Sequence, residues 1–411
     1  MRSRIRVFVT TFCLVTSFVL PANLFAADSN GSSDEWSVDA KIDARLRYEY
    51  VDDDAATDQA NATTLRTRAA LEARRSRWGL GLEFEDISAI GSARFNDTAN
   101  GRTRFATVAD PEATEVNRAW LSYKAPKSIG VTLGRQRINR DGGRIIGDVG
   151  WRQNQQTYDA VTAERSAGRY RFFGGYLAQA NRIFGDDHPS ALSRQFELDG
   201  WVGEGSVVLG PGTVTAVLHY FEFENDPLRS HRNVGLRWIG KHELNDKRHI
   251  RYRAEWIDQE PHSNGAAINE AEYLALEVGY EARRWGVGAN LEQLGGDGMY
   301  GFQRPLATLH AYNGWADRFL NTPADGLVDV FLNARFSFEK FVLKAQYHSF
   351  EADNGSADYG DEFGLALSRK LCERVDAVFK YAHHDADGIA PDVQKVWLSV
   401  RLLESFDLRR K

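Results

Sequence analysis

The stretch Val38-Asp39-Ala40-Lys41-Ile42-Asp43-Ala44-Arg45-Leu46-Arg47-Tyr48-Glu49-Tyr50 decides the fold. Every even position in it is apolar or aromatic, and every odd position is charged. Successive side chains of a strand point to opposite faces, so this segment has one apolar face and one charged face. Half-buried strands of soluble proteins usually run about five residues. Thirteen residues of unbroken alternation need a tall apolar surround on one side and water on the other, as a strand tilted across a bilayer has.

Working outward, the same period recurs along the chain. Leu65, Thr67, Ala69, Leu71 and Ala73 alternate with Arg66, Arg68, Ala70, Glu72 and Arg74. The segments 250–256, 274–281, 328–337, 375–382 and 395–402 repeat it. The stretches 157–165, 197–209 and 213–224 alternate less cleanly, and their faces stay unassigned. Short connections fall near 74–77, 125–128, 166–168, 210–212, 245–247, 282–284, 339–340 and 372–374. Long ones fall near 51–61, 86–113, 136–157, 181–195, 225–232, 259–270, 294–326, 350–361 and 384–394. Seventeen connections imply eighteen strands. The expected fold is therefore all-β: a transmembrane antiparallel β-barrel with short periplasmic turns, long extracellular loops and periplasmic termini. Tyr48, Tyr50, Trp78, Trp238, Trp256, Trp285, Phe336 and Phe338 near strand ends suit the two headgroup levels.

The N-terminus reads as a secretory signal peptide. Arg2, Arg4 and Arg6 precede an apolar run over 7–20, and Ala26 and Ala27 offer a cleavage site. The expected division is a signal peptide at 1–26 and one barrel domain at 27–411, with strands over about 36–406. Removing 1–26 takes three Arg and no acids, so 51 basic and 57 acidic residues become 48 and 57, a formal net charge of −9 instead of −6. That balance argues against a nucleic-acid partner. Cys372 is the only cysteine left after cleavage, which excludes an intramolecular disulfide. With 43% hydrophobic and 26% charged residues the chain is not of a disordered class. Beyond the N-terminus no apolar run reaches a helical span, which excludes a polytopic helical membrane protein.

Chemistry-bearing motifs point away from catalysis. The sequence has no HExxH, GxSxG, Walker A or CxxC motif. No enzyme activity, cofactor or metal is expected. His383 and His384 are adjacent and so face opposite ways. Asp52, Asp53 and Asp54 read as a solvated loop tip.

The charged faces are more informative. Arg45, Arg47, Arg66, Arg68, Arg118, Arg251, Arg253, Arg335, Lys344 and Lys380 are the candidate pore-lining cations. Their acidic counterparts include Asp43, Glu72, Glu255 and Glu277. The inward set is balanced or slightly basic although the chain is acidic, which places the acid excess in loops. Two readings stay open: Arg rows that select anions, or Arg and Glu that brace the wall, with Glu72 and Glu255 as natural partners. The segment 136–157 is expected to fold inward and narrow the pore. It carries Arg137, Arg140, Arg144 and Arg152 and few apolar residues to pack elsewhere.

Two segments carry a family resemblance. One runs from Gly134-Arg135-Gln136 through Arg144-Ile145-Ile146-Gly147 to Trp151-Arg152-Gln153-Asn154-Gln155-Gln156-Thr157-Tyr158-Asp159. The other is Leu306-Ala307-Thr308-Leu309-His310-Ala311-Tyr312-Asn313-Gly314-Trp315-Ala316-Asp317-Arg318-Phe319. Both resemble signature segments of the alginate export family of outer-membrane porins. The resemblance implies an eighteen-stranded barrel whose electropositive pore passes an anionic polyuronate, and it carries Arg135, Arg144 and Arg152 over as pore residues. One departure is the C-terminus, where Asp407 to Lys411 follow Phe406 and Glu404 breaks the apolar face. The expectation is an outer-membrane channel for anionic or polar solutes, an acidic polysaccharide such as alginate among them. The alternative is a general small-solute porin; an outer-membrane enzyme or adhesin on the same scaffold ranks below both. Expected partners are outer-membrane lipid and lipopolysaccharide, the anionic solute and the barrel-assembly machinery.

Overall fold

The computed structural model describes residues 35–387 and 391–408. The expected signal peptide and its cleavage site lie outside the described residues. Eighteen strands form one sheet: β1 Ser37–Asp53, β2 Ala60–Arg75, β3 Trp78–Ala89, β4 Ala113–Ala125, β5 Ile129–Gln136, β6 Thr157–Ala167, β7 Tyr170–Asn181, β8 Gln195–Leu209, β9 Gly212–Phe223, β10 His231–Asn245, β11 Arg248–Pro261, β12 Ala271–Ala282, β13 Trp285–Leu294, β14 Leu327–Phe338, β15 Phe341–Glu351, β16 Asp358–Lys370, β17 Val375–Asp385 and β18 Val393–Asp407. Each strand pairs antiparallel with its chain neighbours. β1 closes the ring on β18, from Asp39 opposite Asp407 to Asp53 opposite Val393. Closure leaves no open edge, which a spanning sheet requires because lipid offers no hydrogen bonds. No helix among the described residues is long and apolar enough to cross a membrane.

The alternation read from the sequence becomes an inside and an outside. In β1, Asp43, Arg45, Arg47 and Glu49 are buried while Ile42 and Leu46 are exposed. The outer face carries an exposed apolar belt that includes Leu71, Leu133, Leu236, Val278, Leu332 and Leu398. So much exposed apolar surface around a closed ring is a lipid-facing surface. Near the turns, outward rings pair across strands: Trp78 with Tyr123, Trp238 with Tyr252, and Trp285 with Tyr280, at centroid distances of 4.5, 4.8 and 5.2 Å. At two of the tight turns Gly168 (φ 60°) and Gly210 (φ 55°) supply the positive φ that a short hairpin needs.

All eight short turns lie on the side of the chain termini, and the long loops lie opposite. The three stretches with unassigned faces have a structural explanation. β6 keeps its alternation, but small or polar residues stand on both of its faces, with Ala160 and Thr162 buried and Ala163 exposed; the extra residue here is Ala178 of β7, because Asp159 faces Gln179 and Ala160 faces Leu177. In β8 and β9 the inward side is itself apolar at the loop end, with Leu198, Val202, Phe221 and Phe223 buried. These side chains pack on a core inside the barrel, so both faces are apolar and the period-two contrast fades.

Candidate functional site

Two long loops fold into the lumen: residues 137–156 between β5 and β6, and residues 295–326 between β13 and β14. They meet backbone to backbone. Gly147 N–H donates to Leu306 O at 2.8 Å, and Thr308 N–H donates to Gly143 O at 2.7 Å. A Cβ at Gly147 would stand 2.1 Å from Thr308 Oγ1, and one at Gly143 2.5 Å, so this approach requires glycine at both positions. Tyr158 Oη, on β6, donates to Gly147 O at 2.9 Å.

The first loop is anchored by apolar and ionic contacts together. Ile138, Ile145 and Ile146 are buried with wall residues such as Leu177, Val202 and Ile257. The segment's few apolar residues thus do pack, onto the inner wall. Its arginines reach different sectors of the barrel. Arg140 pairs with Glu204 on β8. Arg144 crosses to β12 and β13, donating to Tyr273 Oη at 3.0 Å, to Glu292 at 2.7 Å and to Glu277. Arg152 donates to Glu49 on β1 at 3.1 Å and to Asp317 of the second loop at 3.1 Å. Asp141 accepts from Arg253 and faces Arg237 at 3.4 Å. Burial opposes the charge of Asp141, but Arg253 and Arg237 outweigh it and hold the carboxyl below its ordinary range. Burial likewise opposes Arg144, and Tyr273, Glu292, Tyr312 and Glu277 outweigh it.

Wall cations complete the network. Arg45 donates to Gln153 Oε1 at 2.8 Å, to Gly150 O at 3.1 Å and to Arg152 O. Arg47 lies 4.2 Å over the Trp151 ring and 3.8 Å from Asp110. Arg66 pairs with Asp43 at 2.7 Å, Arg68 with Glu85, and Arg118 with Glu83. Arg251 reaches Glu277 and Glu281, Arg253 reaches Asp141 and Glu255, and Arg335 reaches Glu281. Lys344 stands directly across from Arg335 on the inward side of β15. Glu255 pairs with Arg253 and also with Arg237. Glu72 is not the partner of Arg66 or Arg68; it serves Lys41, Arg74 and Arg118. Register explains the difference, because Glu85 stands directly opposite Arg68 while Glu72 stands opposite Asp39 and Gly81.

Lys380 is held differently. Its Nζ lies 3.9 Å from the Trp315 ring centroid, 4.3 Å from Trp151 and 5.4 Å from Trp397. It donates to His310 Nε2 at 2.7 Å, and His310 Nδ1 meets Asp317 at 2.6 Å. The Asp317 carboxylate accepts at Nδ1, which places the proton of the neutral ring there and leaves Nε2 to accept from Lys380. Burial pushes His310 down to about 3, and Lys380 works in the same direction against Asp317. Asp317 also accepts from Lys395 at 3.0 Å.

Two residues stand apart. Arg137, in the first loop, is exposed to water inside the barrel, with Arg118, Asp148, Glu83 and Arg68 as its charged neighbours. Arg135 does not line the lumen. It stands in the cross-strand row of Ala119 and Asp159, on the side of exposed Leu133, and clamps Asp159 at 2.8 and 3.0 Å. The odd positions of β5 face outward, and that parity sends Arg135 outward too. The second loop supplies partners that reading arginines alone missed: Arg304, His310, Asn313, Asp317 and Arg318. Their signal was the density of Trp, His, Asp and Arg in 306–319. The Asp52–Asp54 run is engaged at the rim, where Asp53 takes Arg318 at 2.8 Å and Asp52 takes Gln59 at 2.8 Å. Among the described residues no group of His, Cys, Asp and Glu could hold a metal ion.

A family model described as alginate export matches residues 37–287. Similar solved structures include OccAB4 of Acinetobacter baumannii, 11% identical, with 92% of this chain and 100% of that one covered and a TM-score of 0.72. Pseudomonas aeruginosa OpdK with vanillate is 12% identical, with 90% and 99% covered and a TM-score of 0.71. Pseudomonas aeruginosa OccK9 (OpdG) is 15% identical, with 92% and 100% covered and a TM-score of 0.70. At these identities the likeness is one of fold. No similarity to a curated protein was found.

Proposed function

Because this chain belongs to the alginate export family and folds as an outer-membrane porin-like barrel, we propose that it is a channel that selects anionic solutes. The observation that carries the reading is an asymmetry of exposure within the ion pairs. In the lumen pair Lys41–Glu72 the side chains are 38% and 8% exposed. In Arg251–Glu281 they are 34% and 22%, and in Arg401–Asp43 40% and 12%. In these pairs the cation faces water and the carboxylate lies behind it, whereas deeper pairs such as Arg66–Asp43 and Arg253–Asp141 run the other way. Carboxylates are also shared, since Glu281 serves Arg251 and Arg335 while Glu72 serves three cations. At these half-exposed pairs the water-lined surface is therefore more positive than the residue count suggests. Guanidinium forks suit carboxylates, and many partly neutralised sites bind an anion weakly enough for it to leave.

Bracing and selecting are thus divided between the buried and the half-exposed members of one network. Buried pairs such as Arg68–Glu85 tie the wall, and half-exposed cations such as Arg251 and Arg335 meet the solute. Alginate, named in the family description, and vanillate, bound by OpdK, both carry carboxylates; the proposal is anchored to that group. The test is a reversal potential across a planar bilayer in a KCl gradient. The expected result is preference for chloride, reduced by Arg251→Gln with Arg335→Gln. A wild-type channel that prefers potassium overturns the reading.

A further inference from the structure

A second feature lies outside the constriction, at the loop end of the barrel. There the loops 182–194 and 224–230 face the inward loop 295–326 around a cavity of about 130 Å³. An engineered apolar cavity of about 150 Å³ admits benzene, so this space is sized for one six-membered ring and not for two. Its apolar lining is Leu192, Phe196, Leu309 and Leu320, with the Arg182 and Arg229 guanidiniums over the Phe196 ring. Its polar lining includes three guanidiniums, Arg182, Arg229 and Arg304, against one carboxylate, Asp226.

That carboxylate is already committed to Arg229 at 2.8 Å. Arg182 has no carboxylate partner among the described residues. It donates to Leu192 O at 2.6 Å and lies 4.4 Å over the Phe196 ring, which leaves the rest of its fork open. Burial, with Arg229 nearby, pushes Arg182 down to about 10, as expected for a guanidinium short of negative charge. Arg304 is 4% exposed. It spends its terminal nitrogens on Glu292 and Asn313 and leaves Nε buried without a hydrogen-bond partner. Buried polar groups are normally satisfied, and a buried charge more so.

We propose that this cavity is a capture site for a single-ring carboxylate. The ring packs on Leu192, Leu309 and Leu320, and the carboxylate supplies Arg182 with the anion it lacks. A neutral ring of the same size would leave the guanidiniums as they are, and chloride would leave the apolar lining wet. The inference rests on the channel reading for its purpose, which is to load from outside the kind of solute that the lumen passes. The shared chemistry covers aromatic acids and sugar acids, and two ligands separate them.

The experiment is calorimetry on the full chain in detergent micelles with benzoate, galacturonate and benzyl alcohol. At least one of the two acids is expected to bind, benzyl alcohol to give no signal, and the acid that binds to identify the source. Arg182→Gln should weaken binding by about ten-fold or more, the scale of a lost charged hydrogen bond, and Arg182→Lys by less. Leu192→Trp fills the cavity and should abolish binding without touching the charges. It decides the matter if Arg182→Gln does not fold, as judged by heat-modifiable gel mobility. The proposal is overturned if neither acid binds the wild type, or if the folded variants bind as the wild type does. Wild-type reversal potentials, measured separately, decide the channel reading.

Discussion

Replacing Arg144 with Met should loosen the first inward loop without unfolding the barrel. The size of the effect can be worked from its partners. Breaking a buried ion pair costs about 3–5 kcal/mol when the remaining charge is left alone. Neither carboxylate is left alone here. Glu292 keeps Arg304 at 3.2 Å, Tyr273 at 2.6 Å and Asn313 at 2.8 Å, while Glu277 keeps Arg251 at 3.3 Å and Arg253 at 3.7 Å. What is lost is the set of charged hydrogen bonds made by Arg144, at about 1.5–3 kcal/mol each, less the desolvation that its charge no longer suffers. A net cost of about 2–3 kcal/mol follows, or a roughly 30- to 100-fold rise in loop opening at 1.4 kcal/mol per decade. The wall is held by its own ladder, so the cost falls on the loop. Hydrogen exchange read by mass spectrometry in micelles should show that acceleration at the amides of Arg140, Gly147 and Thr308, whose bonds join the loop to itself and to 295–326. Amides of β1 should not change. Equal exchange in wild type and variant, or equal acceleration in β1, would refute the reasoning.

Three further outcomes are expected. Ala44→Arg places a charge on the outward side near the middle of β1 and should cost about 2–4 kcal/mol in a lipid-folding titration. A cost near zero would mean that the even positions of β1 do not face lipid. Acidification should release the second inward loop. The His310 value of about 3 lies below its ordinary 6.5, so between the two the opened loop binds more protons. The stabilisation is complete above about 6.5 and lost as pH falls toward 3, and Asp317, also held low, adds in the same direction. Protection at Ala311 and Tyr312, taken relative to intrinsic exchange, which itself slows on acidification, should therefore fall between pH 7 and pH 4, and His310→Gln should flatten that fall. Arg135→Ala should leave ion selectivity unchanged and alter stability by about 1 kcal/mol or less, since a half-exposed pair contributes little. A changed reversal potential in that variant would place Arg135 in the conduction path after all.

The strand count and the inward faces were legible because lipid and water sort side chains with a strict period of two. Val38 to Tyr50 needed nothing beyond that contrast. Legibility failed where a third environment appears. Leu198, Val202, Phe221 and Phe223 face inward yet are apolar, because they meet Ile138, Ile145 and Ile146 and not water. Period alone cannot separate a core inside the barrel from lipid outside it. The inward fold of 137–156 was readable from length and arginine content. Its partners were not, since Arg144 and Glu292 are brought together by the curvature of the barrel and not by spacing. His310 and Asp317 were in view within a quoted segment, but their meeting with Lys380 depends on two loops and a distant strand. Arg135 shows the opposite case, where a family segment suggested the pore and simple parity sends the side chain outward.

The seam between β1 and β18 fixes an order of events. The lumen network draws on the first strands, on β8 to β13 and on the last two, so no partial barrel contains all its anchors. Asp43, for one, is shared by Arg66 on β2 and by Arg401 on β18. Lys395, on β18, joins Asp317 while Arg152 ties that same carboxylate to Glu49 on β1. Until the last strand docks on the first, Asp43 and Asp317 each lack a cation from β18. Arg140, Asp141 and Arg144 reach only β8 to β13, so one side of the constriction can form before the perimeter closes and the other only after it.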